Sequence, residues 1–212
     1  MKTEVNYISM TDGAEDVIAY CARVSNPENQ YNIETAPRLL KYLKDHRHWS
    51  PFEMADVTLE IYTTRDIARQ LLRHRSFSFQ EFSQRYAEVQ DFAEVDAPRL
   101  QDTKNRQNSL ETDDQYLSQW WKMSQARVLD DMEYIYREAL RRGVAKEVAR
   151  KILPEGLTMS RLYMKGSVRS WLHYLEVRLG PETQKEHREV AQKCQEVLEC
   201  TLPSVFGVYY DV

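Results

Sequence analysis

The sequence predicts an α+β fold: one helix-rich domain over residues 1–212, with a small, mainly antiparallel sheet flanked by helices. Three observations carry this. Most of the chain shows the 3.6-residue hydrophobic period of amphipathic helices, and one stretch alternates as a half-buried strand. Charged residues make up 29% of a chain of 212 whose net charge is only -4. No run approaches the roughly 20 apolar residues a bilayer helix needs. The six glycines are scattered, so neither GxGxxG nor GxxxxGK[ST] can be written, and a Rossmann domain and a P-loop are both disfavoured.

The elements follow in order. The opening MKTEVNYISMTDG lacks the basic start and apolar stretch of a signal peptide, which predicts a cytoplasmic chain. Asp12 to Ser25 places Ala14, Val17, Ile18, Cys21 and Ala22 at helical spacing behind a capping-type Thr-Asp, and Asn26-Pro27 ends it. A second helix runs from about Ala36 to Arg47, with Pro37 in its first turn and Leu39, Leu40 and Leu43 inward. Met54 to Tyr62 alternates, Ala55, Val57, Leu59 and Ile61 facing one way, and reads as a strand. Thr64 to His74 returns to the helical period and runs into a short extended segment where Phe77 and Phe79 alternate with serines.

Asp91 to Thr112 is polar and reads as a long surface loop. A long helix from Asp113 to Arg142 stops at Gly143, and a shorter one from Val144 to Leu153 stops at Pro154. Thr158, Ser160 and Tyr163 interleave with apolar residues and favour a strand over Leu157 to Lys165. Ser167 caps a helix through Leu179 that Gly180-Pro181 terminates, and Glu182 to Thr201 is a last amphipathic helix.

Arg73-His74-Arg75-Ser76-Phe77-Ser78-Phe79-Gln80-Glu81-Phe82-Ser83-Gln84-Arg85 concentrates three arginines in an acidic protein. Interleaved phenylalanines place this backbone near the core, and arginines held there need anionic partners, of which Glu81 is the only one near in sequence. An anionic ligand completes the set. Charge alone excludes a surface built throughout for nucleic acid.

This run resembles the signature of the flavin-dependent thymidylate synthases, in which Arg-His-Arg is followed at fixed spacing by a serine. His48-Trp49-Ser50-Pro51-Phe52-Glu53 is similar to the family's upstream element, Arg150-Lys151-Ile152-Leu153-Pro154 to its Arg-x-x-Leu-Pro element, and Ser167 to Arg178 to its last helix. The resemblance implies methylation of deoxyuridine monophosphate (dUMP) to thymidylate. Methylenetetrahydrofolate would give the carbon and FAD, reduced by NADPH, the hydride. It also implies a homotetramer with sites shared between subunits, and no nucleic-acid or membrane partner.

Carried over by position, the resemblance implies a nucleotide set of Gln70, Arg73, Glu81, Phe82, Ser83, Gln84 and Arg85 from one chain, with Arg150 and Arg178 from another. The implied flavin set is Ser25, His48, Ser50, Arg73, His74, Arg75, Gln80, Glu81, Ser167, Arg169 and His173. Arg178 is given the catalytic role of favouring ionisation of the uracil ring. Arginine forks suit phosphates, so these sets need no glycine cradle. Two rival readings stand beside this one: a related flavoenzyme acting on another pyrimidine nucleotide, and a single-stranded nucleic-acid module in which Phe77, Phe79 and Phe82 stack on bases. Cys21 reads as core, His187 as a solvated helix residue, and Trp120, Trp121, Met123, Met132 and Tyr136 as long-helix core or subunit contact. His46 and His48 lack partners at ligand spacing, so no metal site is expected.

Overall fold

The computed structural model describes residues 2–207. Its centre is a four-stranded antiparallel sheet in the order β1-β2-β6-β3, with β1 Glu4–Met10, β2 Asp56–Thr64, β3 Ser78–Glu81 and β6 Met159–Ser167. The helices are α1 (Ala14–Ala22), α2 (Ala36–Asp45), α3 (Arg65–Leu71), α4 (Gln115–Arg141), α5 (Lys146–Ala149), α6 (Val168–Arg178), α7 (Lys185–Thr201) and α8 (Pro203–Phe206). A separate hairpin pairs β4 (Arg99–Gln101) with β5 (Ser109–Glu111).

The alternation in β2 has the expected outcome. Val57, Leu59 and Ile61 are fully buried, while Asp56, Thr58, Glu60 and Tyr62 occupy the other, half-exposed face. β6 pairs with β2 along its whole length and adds Leu162 and Met164 to the buried face. Against this face pack Ile18, Leu40, Ile67, Leu71, Trp171, Tyr174, Val190, Ala191, Cys194 and Leu198, which form one core. Trp171, wholly buried, satisfies its indole N–H on the Val57 carbonyl at 3.1 Å, so the sheet and α6 are held in a fixed relation.

A smaller cluster of Val89, Met132, Tyr136 and Ala149, with Phe82 and Phe92 against it, joins α4 and α5 to the stretch after β3. It fixes the backbone that carries Ser83, Gln84 and Arg85. Val89 N–H donates to the Tyr136 hydroxyl at 3.1 Å, tying that stretch to the last third of α4. The exposed end of α4 presents Tyr116, Trp120 and Met123 to solvent in the single chain.

Several sequence expectations are corrected here. α1 starts behind Gly13 in the left-handed region (φ +59), with no side-chain cap, in place of the Thr-Asp cap. The Val144 to Leu153 segment shortens to α5 and a 3-10 turn at Arg150–Ile152. The supposed loop from Asp91 to Thr112 contains the β4–β5 hairpin, and Phe92 bridges to Thr158. Ion pairs dock the hairpin on α7: Arg99 with Glu186 at 2.6 Å and Lys185 with Glu111 at 2.8 Å. Caps at the other expected positions are present. Ser167 Oγ accepts from the Ser170 N–H at 3.2 Å, and Gly143 ends α4 at φ +83.

Candidate active site

The Arg-His-Arg run begins where α3 ends. Leu71, fully buried, and Phe77, nearly so, pin the turn at both sides, so His74 is drawn inward while Arg73 and Arg75 remain exposed. Neither guanidinium makes a side-chain hydrogen bond or ion pair with another described residue. The phenylalanines hold the turn against the core, as the sequence implies, but the flanking arginines stand on its outer side.

His74 lies under Arg178, the last residue of α6. Arg178 Nε donates to His74 Nε2 at 3.0 Å, which requires the imidazole to be neutral with its proton on Nδ1. Burial, with Arg178 adding to it, pushes the His74 imidazole down to about 4. The guanidinium is therefore held through one nitrogen, and its Nη1 and Nη2 fork has no partner among the described residues.

His187 overturns its sequence reading. It is fully buried, its ring 5.9 Å from that of Tyr174 and 6.2 Å from that of His74. Its Nδ1 lies 3.1 Å from Gln70 Oε1. Burial first, then Arg178 and His74, push this imidazole down to about 3. A signal for its position did exist in the sequence: His187 lies three, four and seven residues before Val190, Ala191 and Cys194, on the apolar stripe of α7. Tyr174, also absent from the expected set, is buried beside both imidazoles, and burial raises its phenol well above the usual range.

The remaining expected nucleotide residues fall in a second group. Glu81, on edge strand β3, accepts from Ser160 Oγ at 2.7 Å and faces Arg65 at 3.6 Å. Phe82 is half-buried in the α4–α5 cluster, and Ser83 Oγ accepts from the Arg85 backbone N–H at 3.4 Å. Gln84 is buried, and its amide nitrogen has no partner among the described residues. Arg85, exposed, reaches Glu147 of α5 at 3.4 Å, one helical turn before Arg150. Arg150 is half-buried and forms no side-chain bond with a described residue.

The expected flavin residues cluster mostly about the first half of α6. Arg169 pairs with Glu53 at 3.0 Å, and His173 meets Trp49 edge-on at 5.0 Å. Ser50 is exposed at the start of a 3-10 turn at Ser50–Glu53, His48 is exposed two residues before it, and Ser167 is the α6 cap. Gln80 is exposed on β3, and Ser25 follows α1 with no side-chain bond to a described residue. Cys21, expected in the core, is half-buried at its edge, whereas Cys194 is the buried thiol. A cleft of about 920 Å³ lies between residues 93–101, α4 and α7, with Arg99, Gln184 and Glu186 on its wall.

A sequence model described as thymidylate synthase complementing protein matches residues 6–204. The chain belongs to this family. Over 192 residues it is 50% identical to a probable flavin-dependent thymidylate synthase of Paramecium bursaria Chlorella virus 1, covering 91% of this chain and 88% of the relative. It is also 50% identical over 212 residues to a flavin-dependent thymidylate synthase of Synechocystis sp., covering 95% and 97% of the two chains. The fold superposes with a TM-score of 0.82, at 26% identity, on the crystal structure of a UMP/dUMP methylase, PolB from Streptomyces cacaoi, bound with 5-Br dUMP. That match covers 97% of this chain and 93% of PolB. In this chain the arginine that ends α6 is anchored on a neutral histidine, with a second, buried imidazole nearby.

Proposed function

We propose that this chain is a flavin-dependent thymidylate synthase. It methylates dUMP to thymidylate with methylenetetrahydrofolate as carbon donor and FAD, reduced by NADPH, as cofactor. The observation that carries the reading is the state of Arg178. No carboxylate pairs with it among the described residues, and its one bond is donated to a neutral imidazole, so its full positive charge is available to an anion.

Arg73 and Arg75 fit a diphosphate, because two exposed guanidiniums without protein partners supply forked donors to such groups. FAD would be held by them together with His48, Ser50, Gln80, Ser167, Arg169, His173 and Ser25. When bound and reduced, it supplies the hydride. The nucleotide set is Gln70, Arg73, Glu81, Phe82, Ser83, Gln84, Arg85, Arg150 and Arg178, with Arg85 and Arg150 suited to the phosphate. A fork placed on the uracil edge stabilises the ring anion, which raises electron density at the carbon that attacks. His74 contributes by fixing Nε, so that only the terminal nitrogens meet the ring.

Arg169 and Arg178 are nine residues apart on α6, about 13 Å along the axis and on opposite sides of it. One chain thus directs two cationic ends apart, and a homotetramer with shared sites would bring partner sets to each. The test is reaction of FAD-loaded protein with NADPH, methylenetetrahydrofolate and dUMP, with thymidylate measured chromatographically. Flavin reduction without thymidylate overturns the reading, and preferential methylation of UMP transfers it to the ribonucleotide.

A further inference from the structure

Gln70 Nε2 donates to Gln184 Oε1 at 2.7 Å, and Gln184 Nε2 donates to Glu186 Oε2 at 3.0 Å. Glu186 Oε1 meets Arg99 Nη2 at 2.6 Å. With His187 Nδ1 on Gln70 Oε1, these bonds form one chain from the β4–β5 hairpin to the buried group around Arg178.

The direction of every bond in that chain is fixed at one end. Glu186 is ionised: burial pushes it up, but hydrogen bonds from its own backbone N–H, Arg99 and Gln184 hold it below the usual carboxylate range. A carboxylate only accepts, so Gln184 must turn its nitrogen to Glu186 and its oxygen to Gln70. Gln70 must then give its nitrogen to Gln184 and its oxygen to His187. That leaves His187 Nδ1 as the donor and Nε2 bare. His187 Nε2 is buried without a partner among the described residues, beside a ring assembly of His74 and Tyr174 and within the field of Arg178.

We propose that His187 is a positioning residue of the Arg178 site, held as its Nδ1–H tautomer by the Glu186–Gln184–Gln70 chain so that it presents an acceptor, and no donor, toward the guanidinium. The proposal rests on the reading of Arg178 as the nucleotide-activating group. In the opposite tautomer an N–H dipole would point into a pocket that already holds a cation and its donors, displacing the fork from its place above His74. The chain also fixes Gln70, whose amide would otherwise be free to turn.

Glu186→Gln tests the logic with almost no change in shape. Arg99 can only donate, so the introduced amide must give Arg99 its oxygen and face Gln184 with its nitrogen. Each amide then turns over, and His187 becomes the Nε2–H tautomer. In the double variant Arg99→Met/Glu186→Gln that constraint is gone, the introduced amide can offer its oxygen to Gln184, and the original tautomer returns. Arg99→Met alone keeps the carboxylate and so keeps the tautomer.

The measurement is ¹⁵N NMR of histidine-labelled, FAD-loaded protein, with the His187 signals identified by their loss in His187→Asn. It is paired with turnover of dUMP at saturating nucleotide. Wild type should show a protonated Nδ1 and a bare Nε2. Glu186→Gln should exchange them and lose roughly 10- to 100-fold in turnover, the scale of a misplaced catalytic group. The double variant should restore both readings. A bare Nδ1 in wild type, an unchanged tautomer in Glu186→Gln, or a tautomer switch with wild-type turnover overturns the proposal. Wild-type protein that shows the expected tautomer yet makes no thymidylate from dUMP refutes the Arg178 reading instead. If Glu186→Gln does not fold, the wild-type spectrum and Arg99→Met still decide the tautomer argument.

Discussion

A buried neutral imidazole and a half-buried one beside a permanent cation should make this protein acid-sensitive in a way that a single substitution reduces. Facing His187 are His74 from the turn after α3, Arg178 and Tyr174 from α6, and Gln70 from α3. No carboxylate in that group gains from a histidine proton. With the folded imidazole at about 3 against an ordinary 6.5, the unfolded chain binds a proton that the folded chain refuses. Stability is therefore complete above pH 6.5 and falls as pH drops toward 3. At pH 5 the loss is 1.5 pH intervals at about 1.4 kcal/mol each, or about 2 kcal/mol for His187, and less for the half-buried His74, which solvent screens. For a chain of this length 1 kcal/mol moves Tm by roughly 2–4 °C, so His187→Leu should lose about 4–8 °C less than wild type between pH 8 and pH 5. Leucine fits the apolar stripe of α7, and Gln70, half-exposed, keeps access to water, so the pH 8 melting points should lie close together. The assay is thermal melting of both proteins, saturated with FAD and at equal concentration. Equal pH dependence in the two refutes the buried neutral histidine.

Arg178→Ala should bind FAD normally yet lose roughly 100-fold or more in single-turnover flavin oxidation at saturating dUMP, by analogy with loss of an oxyanion-stabilising donor. Arg178→Lys should restore little, since an ammonium cannot bond His74 through a side nitrogen and still present a planar fork. Wild-type rates in Arg178→Ala would reduce it to a binding residue. Arg85→Ala, by contrast, should raise the KM for dUMP with little change in kcat, because the phosphate it is assigned is the same in ground and transition states. A fall in kcat alone would contradict that assignment. Gly166→Ala should destabilise the fold by about 1–3 kcal/mol, as overpacking does. Its Cβ would collide with the Phe77 ring at Cδ1, and that ring is wedged against Trp171 at 4.8 Å. An unchanged melting point would show that Phe77 moves freely.

The parts of the fold legible in sequence are those whose own residues set the pattern. β2 alternates because one face meets the core, α6 begins at Ser167 because its hydroxyl caps, and α4 ends at Gly143 because the chain needs a positive φ there. β1 was not legible for the complementary reason. As an edge strand it gives the core only Val5 and Met10, and an irregularity between Tyr7 and Ser9 breaks its period. Three-residue strands such as β4 and β5 carry too little pattern to read, and their place is set by ion pairs to α7. The Arg-His-Arg run and Arg178 are expected as site residues from the motif alone. Their pairing through His74 joins positions 104 residues apart, and no local spacing records that.

The difference between Arg169 and Arg178 shows what the fold adds to the motif. Both lie on one helix, and both have the same intrinsic charge. Arg169 meets Glu53 at 3.0 Å, so much of its field is cancelled before any ligand arrives. Among the described residues the Arg178 side chain bonds only His74, and the groups around it, His74, His187 and Tyr174, are held neutral by burial. Each of these has its protonation fixed by the same apolar packing that places α6 on the sheet and α7 on α6. An imidazole proton would oppose the cation, and a carboxylate in its place would neutralise it. Neutral acceptors do neither, and they orient the guanidinium without using up its charge. The core thus sets the charge around Arg178 as well as its geometry, and a substitution deep in α7 can alter both without touching the guanidinium.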